Sequence, residues 1–191
     1  MTPEEGLLDE ALSGSREAMD RLAAIHTPYL QRFIALMGVV DVDDMVQEVL
    51  TTAFQTLAAF KRRSKFSSWV IGIALNKCRK WHREHRPRDP RASEEETLRQ
   101  IDSRDSSRSV LSQIVHKENL DRILFAFDHL PEVFREAFVL RNVEGLDFQE
   151  IAAATGTSEG TARVRAHRAK LLLQGELGEA FATLVAKAIK E

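Results

Sequence analysis

The sequence predicts an all-α protein made of two small helical domains joined by a polar linker, the second a helix-turn-helix domain. Three observations predict it. Alternating Val/Ile/Thr runs are absent, and apolar residues recur at helical spacing instead. Residues 87 to about 116 are polar, rich in Ser, Glu, Asp and Arg, and separate two apolar-periodic stretches. A short helix, a glycine turn and a basic helix follow one another between Asp147 and Leu173. The expected division is a first domain over 1–86, a linker over 87–117, a second domain over 118–175 and a helical tail over 176–191.

The elements follow in order. Thr2-Pro3-Glu4-Glu5 places a capping threonine before a proline at the first helical position, and a short helix ends near Ser13-Gly14. A second helix is expected from Ser15 to about His26. A third begins near Pro28, carries Leu30, Phe33, Ile34 and Met37 on one face, and ends at Gly38. Asp41 to Phe60 reads as one long helix with Met45, Val49, Ala53, Phe54 and Leu57 as its buried stripe. After a polar loop, Ser67 to Arg86 is amphipathic, and Arg86-Pro87 stops it. The linker holds one short helical piece, about Glu94 to Ile101. Beyond it, helices are expected at about 118–129, 131–142, 147–154 and 158–173. Leu177, Phe181, Leu184, Val185 and Ile189 keep helical spacing in the tail.

Composition narrows the function classes. Lys and Arg number 27 against 29 Asp and Glu, so the charge is nearly balanced overall and its distribution carries the information. The one cysteine, Cys78, allows no internal disulfide, and a buried small apolar role is its ordinary reading. The acidic N-terminus does not resemble a signal peptide, and no run approaches the roughly 18 apolar residues of a membrane span. A cytoplasmic, soluble protein is expected. No phosphate-binding glycine loop or catalytic constellation is present. His82 and His85 are spaced to share a metal, but they lie in a basic run where solvent or phosphate contact is the simpler reading. No enzyme activity, metal, cofactor or small-molecule substrate is expected.

The most specific local signal is the helix-turn-helix. Asp147 and Glu150 form a capping-box pattern, Gly156 supplies the turn, and Thr157 or Ser158 caps the next helix. Ala162, Ala166, Ala169 and Leu173 make one seam, small enough for close docking. Arg163, His167 and Lys170 project elsewhere, with Arg165 and Arg168 beside them. Such a helix can enter a major groove; an ordinary helical hairpin with a solvated basic face has the same spacing.

A second basic element spans Lys77 to Arg91, with seven Lys or Arg against Glu84 and Asp89. Phe66, Trp69 and Trp81 lie on or near it. Cations that follow phosphates and rings that stack on bases suit single-stranded nucleic acid. Each tryptophan equally fits the core stripe. Asp41, Asp43, Asp44 and Glu48 open the preceding helix, where acids also favour the helix dipole.

Four stretches together resemble the sigma factors of bacterial RNA polymerase, of the short extracytoplasmic-function (ECF) type. Asp43-Asp44-Met45-Val46-Gln47-Glu48-Val49 resembles that family's polymerase-clamp-binding helix. Phe66-Ser67-Ser68-Trp69-Val70 through Ile73-Ala74-Leu75-Asn76 resembles its promoter-melting segment. Leu130-Pro131-Glu132-Val133-Phe134-Arg135 with Val143-Glu144-Gly145-Leu146 resembles the start of its second DNA-binding domain. Glu150-Ile151-Ala152, Gly160-Thr161-Ala162-Arg163 and His167-Arg168-Ala169 resemble its helix-turn-helix.

The resemblance implies roles by position. Asp43, Asp44, Gln47 and Glu48 would meet core RNA polymerase. Phe66, Trp69, Asn76, Lys77, Arg79, Lys80 and Arg83 would bind the minus-ten element as duplex and melted strand. Ser158, Glu159, Thr161, Arg163, Arg165, His167 and Arg168 would read the minus-thirty-five element. An anti-sigma factor, often membrane-anchored in the family, is an implied partner. Two departures stand out: Lys80 is basic where the family often has an acid, and Ala162 and Ala166 replace larger apolar residues. A dimeric operator-binding repressor is the competing reading, but its N-terminal half would need a sensor or dimer domain.

Overall fold

The computed structural model describes residues 3–62, 64–85, 117–178 and 181–182. The expected Thr2 cap, the Glu94–Ile101 piece and most of the tail fall outside them. Among the described residues all regular structure is helical. Four helices precede residue 86: α1 (Pro3–Leu12), α2 (Arg16–Leu36), α3 (Val42–Gln55) and α4 (Phe66–His85). Four follow residue 116: α5 (Lys117–His129), α6 (Glu132–Asn142), α7 (Phe148–Thr155) and α8 (Glu159–Leu177).

In the N-terminal bundle α2 packs on α1, α3 and α4, and α3 packs on α4. Leu22, Leu30, Phe33, Ile34, Val49, Ala53, Val70 and Ala74 are fully or nearly fully buried there. The sequence divides α2 at Pro28, whereas the structure carries one helix through it. Pro28 lacks the N–H that Ala24 would accept, but both residues lie on the exposed side, where water can serve the freed carbonyl. The buried stripe Leu22, His26, Leu30, Phe33 continues unbroken across the proline and holds the two halves in line.

The long helix expected over 41–60 is also corrected. It stops at Gln55, and a 3₁₀ turn, Leu57–Ala59, follows. Thr52 and Thr56 each donate their hydroxyl to a carbonyl four residues back, at 2.8 and 2.7 Å. Such back-bonding competes with the helix ladder near a terminus.

The C-terminal bundle centres on α8, which lies against α6, α7 and α5. Its seam is Ala162, Ala166, Ala169, Leu173 and Leu177. Opposite it stand Phe127, Phe138, Leu140 and Ile151, all at most 2% exposed. The helix-turn-helix closes as its residues dictate. Asp147 and Glu150 complete a reciprocal capping box on α7. Gly156 takes the left-handed conformation, φ 67°, and Ser158 rather than Thr157 caps α8.

Candidate nucleic-acid and polymerase interface

The acidic residues of α3 form an open face. Asp43, Asp44, Gln47 and Glu48 are all exposed, while Val42, Met45, Val46 and Val49 anchor the opposite side. Asp43 accepts a hydrogen bond from Gln31 at 2.9 Å, and Glu48 pairs with Lys77 of α4 at 3.2 Å. These contacts fix two carboxylates without covering them.

Helix α4 presents its polar residues in three directions. Asn76, Lys80 and Arg83, spaced four and three apart, are exposed. Lys80 is held by Glu84 at 3.7 Å. Lys77 turns toward α3. Arg79 turns toward the C-terminal bundle and forms a two-pronged pair with Glu136 of α6, Nε to Oε1 at 2.5 Å and Nη2 to Oε2 at 2.6 Å. Glu136 is 1% exposed, and these hydrogen bonds raise the Arg79 pKa above its usual value.

The aromatic residues divide. Phe66 is buried and packs edge-on against His26 and Phe60, so its ring belongs to the core and is not presented as a stacking platform. Trp69 is half-buried beside Phe60 and Phe66. Trp81 is half-buried and stacks on His85 at 4.4 Å. Next to Phe66 lies a cleft of about 470 Å³, lined by Phe60, Arg62, Ser64, Lys65 and Ser67 with Glu4, Glu5 and Leu8 of α1. Arg62 is fixed there by an ion pair with Asp9.

On α8, Ser158, Glu159, Thr161, Arg163, His167 and Arg168 are exposed and Arg165 is half-buried. Ser158 accepts from the Thr161 amide at 3.2 Å, so both residues serve the helix start. Glu159 pairs with Arg163 at 2.7 Å. The Arg163 guanidinium also sits 5.0 Å from the centre of the Phe148 ring, and that of Arg141 sits 4.8 Å from it. Sequence reasoning passed over Arg141 and Phe148. Their relation to Arg163 depends on how α6, α7 and α8 meet, and no spacing rule reports that.

Other polar groups have structural duties. His82 Nε2 lies 2.8 Å from the Met37 carbonyl, and His85 Nδ1 lies 2.9 Å from that of Trp81. Among the described residues, no group of three or more His, Cys, Asp or Glu could hold a metal ion. Burial pushes the Cys78 thiol up to about 12, which leaves it an inert core residue at neutral pH. No helix among the described residues is long and apolar enough to cross a membrane.

An open acidic helix, a cation-bearing helix and a capped helix-turn-helix match one family. Residues 28–88 match the model of sigma-70 region 2, and residues 120–173 that of sigma-70 region 4. The chain is 34% identical over 170 residues to RNA polymerase sigma factor CarQ of Myxococcus xanthus, covering 87% of this chain and 92% of that one. The chain belongs to the ECF sigma factors of bacterial RNA polymerase. It is similarly related to ECF sigma factor SigD of Mycobacterium tuberculosis, 31% identical over 91% of this chain and 83% of that protein. Among solved structures it resembles CnrH in complex with the cytosolic domain of CnrY, with a TM-score of 0.64, 26% identity, and coverage of 88% and 93%. The fold is also shared with RpoE of Bartonella quintana, solved with the anti-sigma factor NepR, at a TM-score of 0.60, 21% identity, and coverage of 84% and 96%. This ECF sigma factor is thus a transcription initiation factor that directs promoter recognition by RNA polymerase.

Proposed function

We propose how this sigma factor divides its work among its surfaces. The exposed face of Asp43, Asp44, Gln47 and Glu48 docks on core RNA polymerase, where an acidic patch steers encounter with a basic partner. Helix α4 takes the minus-ten element. Asn76, Lys80 and Arg83 meet the strand directly, and Lys77 and Arg79 do so from the flanks. The cleft beside Phe60 and Ser67 offers an apolar floor and polar rim for one unstacked base, offsetting the few kcal/mol that unstacking costs. Trp69 and Phe66 support that cleft. Helix α8 reads the minus-thirty-five element through Arg163, Arg165, His167 and Arg168, with Ser158, Glu159 and Thr161 fixing its start.

The observation that carries this reading is the coexistence of two cationic helical faces, on separate bundles, with one open acidic face. The protein acts in the cytoplasm by binding, with no catalysis or cofactor of its own. It is held inactive by an anti-sigma factor, itself membrane-anchored. Val164, Leu171 and Leu172, exposed along α8, give such a partner an apolar surface. The resemblance to CnrH in its complex with CnrY supports this control.

Reconstituted transcription with core polymerase and a promoter library tests the assignments. The intact chain selects a two-element promoter, Lys80→Ala weakens initiation through the minus-ten element, and Arg163→Ala weakens it through the minus-thirty-five element. Normal initiation by both variants overturns the assignment.

A further inference from the structure

The cleft beside Phe66 has two walls of different origin. One comes from Phe60, Lys65 and Ser67, between the end of the 3₁₀ turn and the first turn of α4. The other comes from Glu4, Glu5 and Leu8 of α1, which precedes the residues 28–88 matched to sigma-70 region 2. Helix α1 is seated on α2 and buries Leu7, Leu8 and Ala11. Asp9 of α1 pairs with Arg62, a non-glycine residue in the left-handed region at φ 53°. Such a backbone costs free energy and persists where a neighbour holds it, and Asp9 is that neighbour. The two walls are therefore tied together.

Glu4 is fixed from beneath. Its Oε1 lies 3.1 Å from Nε2 of His26, whose ring is 3% exposed and meets the Phe66 ring edge-on at 5.1 Å. Burial lowers the His26 pKa more than Glu4 raises it, so at neutral pH the ring is neutral and the pair keeps the carboxylate's negative charge. Glu4 Oε1 is out of water, yet the side chain as a whole is 42% exposed, so the rest of the carboxylate is what the cleft meets. The α1 wall offers two carboxylates and no side-chain donor. A carboxylate accepts from an exocyclic amino group, as Glu and Asp do from cytosine N4. Thymine sets a carbonyl oxygen on each side of its single N–H, and acceptor against acceptor leaves both unsatisfied. Lys65, exposed on the opposite wall, suits the phosphate of the same nucleotide. The backbone then lies toward Lys65 and the base edge toward α1.

We propose that Glu4 and Glu5 are specificity-determining residues for the minus-ten element: α1 closes the cleft with an acceptor wall that selects an unstacked base bearing an exocyclic amino group and rejects thymine. This selection rests on the cleft being the site of the unstacked base.

Holoenzyme assembled from the full chain, transcribing a promoter library randomised across the minus-ten element, tests it. The intact chain should disfavour thymine against cytosine roughly five- to tenfold at one position. Glu4→Gln, whose amide can turn its N–H toward a carbonyl, should bring that ratio near one there and leave the minus-thirty-five preferences as they are. Ser67→Phe, which fills the cleft from the other wall, should erase discrimination among all four bases at the same position. A thymine penalty that survives Glu4→Gln overturns the role of α1, as does an intact chain with no such penalty at any position. If Ser67→Phe then alters a position, the cleft keeps its base and only the α1 wall loses its share. If Ser67→Phe alters none, the reading of the cleft fails as well. Should Glu4→Gln not fold, Glu5→Gln on the exposed side of the same wall decides by the same ratio.

Discussion

Helices α4 and α8 carry the same kinds of side chain and stand differently in the molecule. On α8 the cations Arg163 and Arg168 are exposed, and Arg163 is steadied by Glu159 from its own helix and by the Phe148 ring. On α4 the central cation, Arg79, is claimed by a buried carboxylate 57 residues away. The difference teaches that a cation's availability is set by its partner's burial. An exposed carboxylate such as Glu159 contributes little and orients its arginine, because water screens the pair. Glu136 lies out of water and keeps its arginine firmly, since releasing one partner strands the other.

Removing one member of the comparison gives the largest effect. Phe138 is 1% exposed and packs on Phe127 and Phe181. Phe138→Ala should cost roughly 3–5 kcal/mol and unfold the scaffold under α8. Thermal melting by circular dichroism would show it as a strongly lowered transition, with recognition through the minus-thirty-five element lost.

The two arginines then separate the helices. In free protein, Arg163→Ala should weaken binding of minus-thirty-five duplex by roughly 1–3 kcal/mol, as loss of a good arginine contact does. Arg79→Ala should leave that binding intact, and should lower minus-ten binding in the holoenzyme. Equal effects of both variants in free protein would erase the contrast between a guarded helix and an open one.

A smaller change tests whether α7 positions α8. Asp147 accepts the Glu150 amide at 2.8 Å, and Glu150 accepts the Asp147 amide at 3.0 Å. Asp147→Ala should destabilise the chain by about 1 kcal/mol in urea unfolding.

The mildest prediction concerns pH. Glu144, beside α2, has its carboxyl raised from 4.5 to about 7 by burial, against the opposing pull of Arg32. It also raises the Tyr29 hydroxyl, whose shift comes first from burial and then from Glu144 and Glu4. Folding therefore binds a proton that the unfolded chain does not hold between 4.5 and about 7. This contribution favours the folded state below 4.5 and fades as pH rises through about 7. The urea-unfolding midpoint should fall on going from acidic to mildly basic buffer, and Glu144→Gln should flatten that response.

Local chemistry was legible in the sequence. The capping box at Asp147, the turn at Gly156, a cap at Thr157 or Ser158 and the alanine seam of α8 are all short-range patterns, and the structure contains them with Ser158 as the cap. Pro28 misled because its cost depends on which side of α2 meets water. Phe66 was read for stacking, yet periodicity does not distinguish a ring that packs on Phe60 from one that faces a ligand. Least legible were the contacts of Arg79 with Glu136 and of Arg135 with Met37, which are 57 and 98 residues apart and exist only after both bundles have formed.

The most direct measurement is association of the purified full chain with core RNA polymerase, followed by run-off transcription from a two-element promoter. A saturable complex that initiates at that promoter, and is weakened when Asp43 and Asp44 are both changed to Lys, is the predicted result. A chain that neither binds core polymerase nor supports initiation would contradict the account at its root.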